Sequence, residues 1–359
     1  MTCFLAKLYA YGMDFASLRY MYNYLTNRKQ RVKINNDFSE WNDIKYGVPQ
    51  GSILGPLLFN IYIADLFLFE DTCNIINYAD DNSPFACENS IKEVIKTLAE
   101  NTKYIIQWVK NNFLKINPEK SHVLLSSNTE MVVNIISESI VSTPSQKLLG
   151  ITIDNELKFD IHVRNLCNKA NLKLHALSRI SRFLSTDKLR VIMKAFVLSQ
   201  FNYCPLVWMF CSRELNNCIN RIHERALRLA YKDYISTFEE LLTKDKSFTI
   251  HHRNLQILVT EIYKFINGYS PKIMENIFEL KQHDYSLREK IVFVSKNIKT
   301  VHFGQQSISY LAPRIWKLVP EGIKQSATIK SFKSQIKMWL PLNCPCRLCK
   351  RYIQNLGFI

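Results

Sequence analysis

Hydrophobic and polar positions alternate along this chain with two different periods. Residues 1 to about 26 read as helix, with Phe15, Leu18, Met21 and Tyr22 on one side of its second half. Residues 29–45 read as a hairpin turning at Asn35-Asn36-Asp37, and residues 52–66 as an apolar helix. A second hairpin spans 73–87, and a long helix runs from Ile91 to Phe113 with Ile91, Val94, Leu98, Ile105 and Val109 on its apolar face. Strands are predicted around His122–Ser126, Val132–Ile136 and Leu148–Ile153. From about Asp160 the pattern is mostly helical, with breaks near Ser185–Thr186, Tyr234 and Gly268–Pro271. Residues 285–305 are less regular and predict a small β-rich or loop module, followed by helices near Ser309–Leu318 and Ser331–Leu340. The class is α+β.

Two segments carry the chemistry. Tyr78-Ala79-Asp80-Asp81 places adjacent carboxylates at the connection of the second hairpin. Side chains of neighbouring strand residues point to opposite faces, so two ligands converge only near a turn. Adjacent carboxylates repel, which favours a cation beside them, although Asp-Asp also suits a polar surface turn. Thirty residues upstream, Gly47-Val48-Pro49-Gln50-Gly51-Ser52-Ile53-Leu54-Gly55-Pro56 is a Gly/Pro-rich loop entering a helix, with Ser52 as a candidate N-cap and Pro56 in the first turn. Gly47 and Gly51 would let backbone approach a flat ligand, and Gln50 offers it a donor and an acceptor. A plain turn before a core helix has the same composition.

The run YGVPQGSILGPLLFNIYIADL followed by YADD resembles motifs B and C of reverse transcriptases, in the wording of non-LTR (LINE-type, jockey-like) retrotransposon enzymes. Asn117-Pro118-Glu119-Lys120-Ser121 is similar to motif D, and Lys147-Leu148-Leu149-Gly150-Ile151 to motif E; the rest of the chain resembles the thumb and C-terminal tail of the same elements. The resemblance implies a partial right-hand polymerase palm, an antiparallel sheet with packed helices, over residues 1–155. A mostly α-helical thumb-like domain would follow at 156–284, then a C-terminal module at 285–359. It implies RNA-directed DNA synthesis by Mg²⁺-dependent nucleotidyl transfer to a primer 3′-hydroxyl, with Mn²⁺ as a substitute, on RNA template, DNA primer and deoxynucleoside triphosphates.

Carried over by position, Asp80 is the main metal ligand and Asp81 a supporting one. Lys120 lies near the departing pyrophosphate, although an exposed lysine after a proline turn looks the same. Gln50, Gly51 and Tyr78 lie beside the nucleotide and template–primer pair, and Leu148, Leu149 and Gly150 at the primer end. The family also places an essential Asp on an earlier strand (motif A), and no acidic residue here precedes Asp14. The resemblance therefore predicts an N-terminally truncated polymerase with a partial metal site; a non-catalytic nucleic-acid-binding remnant is the alternative.

Charge adds to this picture. The net +16 is uneven: residues 1–150 carry 14 basic against 15 acidic side chains, and the remainder 33 against 16. A basic second half suits a phosphate backbone, with acidic proteins or anionic lipid as competing partners. Arg221, Arg225, Arg228 and Lys232 recur at helical spacing beside an apolar face of Ile219, Ile222, Ala226 and Leu229. A solvated helix face has the same pattern. Arg28, Lys29, Arg31 and Lys33 form a second cluster that would meet template backbone or protect an edge strand.

Ten cysteines are expected as reduced thiols in an intracellular chain, nuclear and/or cytoplasmic. No apolar run reaches membrane-spanning length, so no membrane partner is expected. Cys344, Cys346 and Cys349 have C-x-C-x₂-C spacing, but no nearby His or fourth Cys completes a four-ligand set, so zinc is not expected. His251-His252 reads as a helix start.

Overall fold

The computed structural model describes residues 2–44, 47–49, 51–68, 74–126, 132–135, 138–281, 293–294, 298–341 and 343–349. The chain divides into two compact units, Met1–Thr143 and Pro144–Ile359.

In the first unit the N-terminal pattern yields two helices, α1 (Thr2–Ala10) and α2 (Phe15–Leu25), where one was expected. Gly12 adopts a positive φ of 93°, and Asp14 then caps α2 by accepting from the backbone N–H groups of Ala16 (2.9 Å) and Ser17 (3.0 Å). The break also rotates the apolar face. Leu18 and Met21 pack inward, while Phe15 is 77% exposed and Tyr22 lies outside the core. The basic hairpin forms in two tiers: β1 (Arg28–Gln30) pairs with β4 (Asn42–Ile44), and β2 (Lys33–Ile34) with β3 (Asp37–Phe38), around Asn35 at φ 54°. Then come α3 (Leu54–Ile63), a 3₁₀ turn Ala64–Phe67, the hairpin β5 (Asn74–Tyr78) and β6 (Asp81–Phe85), and α4 (Ile91–Asn111).

Ile63 at the end of α3 and Leu66 in the turn after it pack on Ile105, Trp108 and Val109 of α4, and Ile75 of β5 leans on the same cluster. Leu58, one turn earlier in α3, packs on Phe4, Leu8 and Leu25 from α1 and α2. Lys7 ties these layers together. Its ammonium lies 2.7 Å from Asp65 and 2.8 Å from the Tyr62 carbonyl oxygen, over the rings of Tyr62 and Trp108.

The remaining strands of this unit, β7 (Val123–Leu124), β8 (Val132–Ile135) and β9 (Glu138–Thr143), form a sheet ordered β7-β9-β8 with one parallel and one antiparallel pairing. The expected continuous antiparallel sheet does not form among the described residues. Five small sheets replace it, because these strands are two to six residues long and pair mainly with sequence neighbours.

The second unit opens with a further correction. The strand expected at Leu148–Ile153 is instead a hairpin, β10 (Ser145–Leu148) against β11 (Ile151–Asp154), because Leu149 and Gly150 both take positive φ, as a two-residue turn requires. Helices follow: α5 (Asp160–Ile180), α6 (Thr186–Ile192), α7 (Pro205–Trp208), α8 (Arg213–Tyr231), α9 (Phe238–Asp245), α10 (Ile250–Ile266), α11 (Ile308–Trp316), α12 (Glu321–Lys324) and α13 (Ile329–Ile336). Much of the irregular module expected at 285–305 lies outside the described residues; within it, Phe293 bridges to Leu280 and Val301–Gln305 forms a π turn.

Two cores fill this unit. In one, Leu215, Ile219, Ile222, Ala226 and Ala230 of α8 meet α5, α6 and α9. In the other, Leu255, Leu258, Val259 and Ile262 of α10 meet α11, α13 and the three tail cysteines. Among the described residues no helix is long and apolar enough to cross a membrane.

Two polar groups inside the first core set its acid stability. Burial opposes ionisation of Asp245, but Lys194 at 2.9 Å, Tyr231 at 3.0 Å and Arg190 at 3.1 Å outweigh it and hold the carboxyl below its usual range. His223 has no hydrogen bond on either ring nitrogen, and burial, helped by Arg253, depresses it to about 4. Asp245→Ala should cost about 2 kcal/mol in urea unfolding, since both cations keep some access to water. The depressed histidine acts in the opposite pH direction from a raised one. The unfolded chain takes up its proton near pH 6.5 while the folded chain refuses it, so stability is full above about pH 6.5 and drains by roughly 3 kcal/mol as pH falls to about 4. His223→Leu should flatten that slope; an unchanged slope would mean that another group sets it.

Candidate active site and nucleic-acid interface

The acidic hairpin forms within the span the sequence predicts, although Asp81 falls at the start of its second strand rather than in the connection. Asn74 faces Phe85 and Tyr78 faces Asp81, leaving Ala79-Asp80 as the two-residue connection. Ala79 sits at φ 53°, a left-handed conformation that costs an L-residue roughly 1 kcal/mol or more. Asn77 holds the turn, donating from Nδ2 to the Ala79 carbonyl oxygen (2.9 Å) and to Asn82 Oδ1 (2.8 Å). Asp80 and Asp81 are exposed, and neither carboxylate takes part in a hydrogen bond or ion pair among the described residues. The two oxygen-donor groups fit a hard divalent cation as part of its ligand set, with the remaining positions open to water or substrate oxygen. Tyr78 is also exposed, at the mouth of the turn.

The Gly/Pro loop leads into the other end of α3. Ser52 Oγ donates to the Pro49 carbonyl oxygen (2.8 Å) and accepts the Gly55 N–H (3.0 Å), but the N-cap position itself falls one residue later, at Ile53, which makes no side-chain cap bond. Gly47 and Gly51 take φ of 81° and 79°, and a Cβ on either would meet no atom within 4 Å, so the glycines serve backbone conformation with open space beside them. Gln50 lies outside the described residues. Arg28 holds the loop from below, its guanidinium donating to the Gly47 and Leu25 carbonyl oxygens. In the same cluster Arg31 stacks on Phe38 and Trp41, and Lys29 reaches Asp43 only at 3.9 Å. Arg28 is therefore occupied internally. Lys120 ends a 3₁₀ turn, Pro118–Lys120, capped by Asn117; its side chain is exposed and forms no ion pair among the described residues.

In the second unit, Leu148, Leu149 and Gly150 form the tip of the β10–β11 hairpin. Tyr203 clamps it, donating its hydroxyl to the Leu149 carbonyl oxygen at 2.6 Å while its ring edge lies 3.4 Å from where a Gly150 Cβ would be. No local pattern pointed to Tyr203, 54 residues from its partner.

On α8 Ile219, Ile222 and Ala226 of the apolar stripe are buried as expected and Leu229 is half-buried, while Arg221, Arg225 and Lys232 are exposed. Arg225 also reaches Asn171 Oδ1 at 3.3 Å. Arg228 differs from the expectation. Nη2 (2.7 Å) and Nε (3.2 Å) both bind Glu224 Oε1 one turn back, and Lys232 lies just past the helix as its left-handed C-cap, so Arg221 and Arg225 are the exposed cations of the helix itself.

The tail cysteines gain a partner that spacing did not reveal. His251 and His252 open α10 behind the Thr249 cap, as expected, and His251 Nε2 comes within 3.3 Å of Cys346 Sγ. His251, Cys346 and Cys349 offer ligand atoms all within 4.8 Å of one another, and the Cys344 thiol hydrogen-bonds with both cysteines. Hydrogen bonds from Cys344 and Cys349, and from His251, favour the Cys346 thiolate and lower its pKa; Cys344 is pushed up to about 12. The expectation that no histidine approaches the tail is thus overturned.

Residues 6–153 match the family described as reverse transcriptase (RNA-dependent DNA polymerase). Over 221 residues the chain is 29% identical to the probable RNA-directed DNA polymerase from transposon BS of Drosophila melanogaster, covering 57% of this chain and 24% of that protein. It is 30% identical over 166 residues to the RNA-directed DNA polymerase from mobile element jockey of the same fly, covering 44% and 18%, and 26% identical over 222 residues to that of transposon X-element. The chain thus spans a quarter or less of the length of these relatives. No solved structure matches it.

Replacing Ala79 by asparagine, which tolerates the left-handed region, should strengthen amide protection across β5 and β6 by roughly 0.5–1 kcal/mol in hydrogen exchange. Weaker protection would show that the alanine is not strained.

Proposed function

We propose that this chain supplies the metal-binding hairpin and duplex-gripping helices of an RNA-directed DNA polymerase from a non-LTR retrotransposon. The supporting observation is the pair of exposed, unengaged carboxylates of Asp80 and Asp81 at a two-residue turn, inside the segment that matches the family. In this reading residues 1–155 are palm, 156–284 thumb and 285–359 a C-terminal module, acting inside the cell, in nucleus and/or cytoplasm.

A primer 3′-hydroxyl attacks the α-phosphorus of a deoxynucleoside triphosphate; the new P–O bond forms as pyrophosphate leaves. Mg²⁺, or Mn²⁺ in its place, would stabilise charge on the attacking and leaving oxygens. Asp80 holds it, and Asp81 adds a second carboxylate. Gly47 and Gly51 keep the space beside their backbone clear for the nascent pair, which Gln50 and Tyr78 border. Lys120 offers a proton or charge to the departing pyrophosphate. The tip Leu148–Gly150, steadied by Tyr203, supports the primer end. Arg221, Arg225 and Lys232 follow the phosphate backbone of the RNA–DNA hybrid; Arg228 contributes less, being paired with Glu224.

The test is extension of a DNA primer annealed to RNA. Mg²⁺-dependent extension is expected, falling about 10³-fold in Asp80→Ala, equivalent to roughly 4 kcal/mol of transition-state stabilisation. Hybrid binding without any extension would overturn the reading for this polypeptide. Binding should weaken steeply with salt, and Arg221→Ala should reduce the slope of log K against log salt by about 0.9, whereas Arg228→Ala should change it less. Equal slopes would remove α8 from the interface.

A further inference from the structure

We infer that Cys344, Cys346, Cys349 and His251 form a structural zinc site that pins the C-terminal tail to the start of α10. Three thiols and an imidazole converge where water is excluded: Cys344 is 1% exposed, Cys346 0%, Cys349 6% and His251 5%. All three cysteines are free thiols, so no disulfide accounts for their proximity. A tetrahedral zinc with Zn–S of about 2.3 Å and Zn–N of about 2.0 Å sets its ligand atoms about 3.5–3.8 Å apart. The 3.3 Å between Cys346 Sγ and His251 Nε2 falls a few tenths of an ångström inside this separation, Cys349 joins them within 4.8 Å, and Cys344 lies outside that trio but is hydrogen-bonded to both cysteines. Small adjustments of the side chains would complete the tetrahedron.

The donor set chooses the metal. Soft thiolates with one imidazole exclude magnesium and calcium, which take oxygen, and four protein ligands close the site to substrate, as in structural rather than catalytic zinc. Its position is also that of a structural element. Gln256, further along α10, already donates to the carbonyl oxygens of Lys337 (3.2 Å) and Trp339 (3.0 Å), and Arg347 donates to the Phe210 carbonyl oxygen at 3.0 Å. These contacts orient the tail on α10, and the metal would lock that orientation by joining residues 95 positions apart.

The test uses the full chain, purified reduced and free of metal. Titration with cobalt(II) should give thiolate-to-metal charge-transfer and tetrahedral d–d absorption at one equivalent, displaced by one equivalent of zinc. X-ray absorption at the zinc edge of the wild-type protein should count three sulfurs and one nitrogen. His251→Ala should weaken cobalt binding by more than tenfold, while His252→Ala and Cys218→Ser leave it unchanged. Chelation should lower the melting temperature of the wild-type chain and leave that of Cys346→Ser unaffected. The assignment fails if the wild-type protein shows no tetrahedral thiolate spectrum, if the edge data show oxygen-dominated ligation, or if Cys346→Ser retains zinc as the wild type does. The wild-type spectra decide the matter even if the variants do not fold.

Discussion

Leu215, Ile219, Ile222, Ala226 and Ala230 of α8 must leave water together, and much of the second unit follows from that burial. Leu215, Ile219 and Ile222 each contribute roughly 1.5–3 kcal/mol when removed from solvent, and the alanines less, against a surface ion pair's ~0–1 kcal/mol. Satisfying the stripe requires α5, α6 and α9 around it, which places Arg190, Lys194 and Tyr231 where they can enclose Asp245. Geometry then leaves the opposite surface of α8 to face water, and Arg221 and Arg225 occupy it. The cationic ridge is thus oriented by packing that has nothing to do with phosphate. Whether a given arginine remains available is decided locally: Glu224 at one helical turn claims Arg228 and leaves its neighbours.

The parts of the fold that were legible in the sequence are those encoded by short-range rules. Alternation and turn chemistry located the acidic hairpin and the basic hairpin, and the 3.6-residue period located α4 and α8. Errors arose where one residue redirected the chain. Gly12 splits the first helix and Gly150 folds a strand back on itself, each a single turn residue set within an apolar run. Long-range encounters were beyond reach. Tyr203 meets Leu149, and His251 meets Cys346, across separations that no periodicity encodes. Spacing rules for metal sites assume that ligands are neighbours in sequence, so a helix that delivers the fourth ligand from elsewhere evades them.

Anchoring by buried or backbone-directed cations recurs in the first unit. Lys7 sits among Tyr62, Trp108 and Asp65, and Arg28 spends its guanidinium on two carbonyl oxygens. Both would be counted as surface charge in a tally of basic residues, yet both act as tie points: one joins α1 to the turn below α3, the other steadies the Gly47 loop. A near-neutral net charge in this half therefore conceals cations with structural duties.

The acidic hairpin has one further property. Ile75 and Ile76 are adjacent, one leaning on the core and the other 57% exposed. A shift of one residue along β5 would exchange an isoleucine for an isoleucine, so hydrophobicity scarcely distinguishes the two alignments. What does distinguish them is the tight connection itself, with Asn77 bracing Ala79 and Asn82. The two asparagines and the turn act as an indexing pin: they fix which face of the ribbon carries the acids, a task the core beneath leaves undecided.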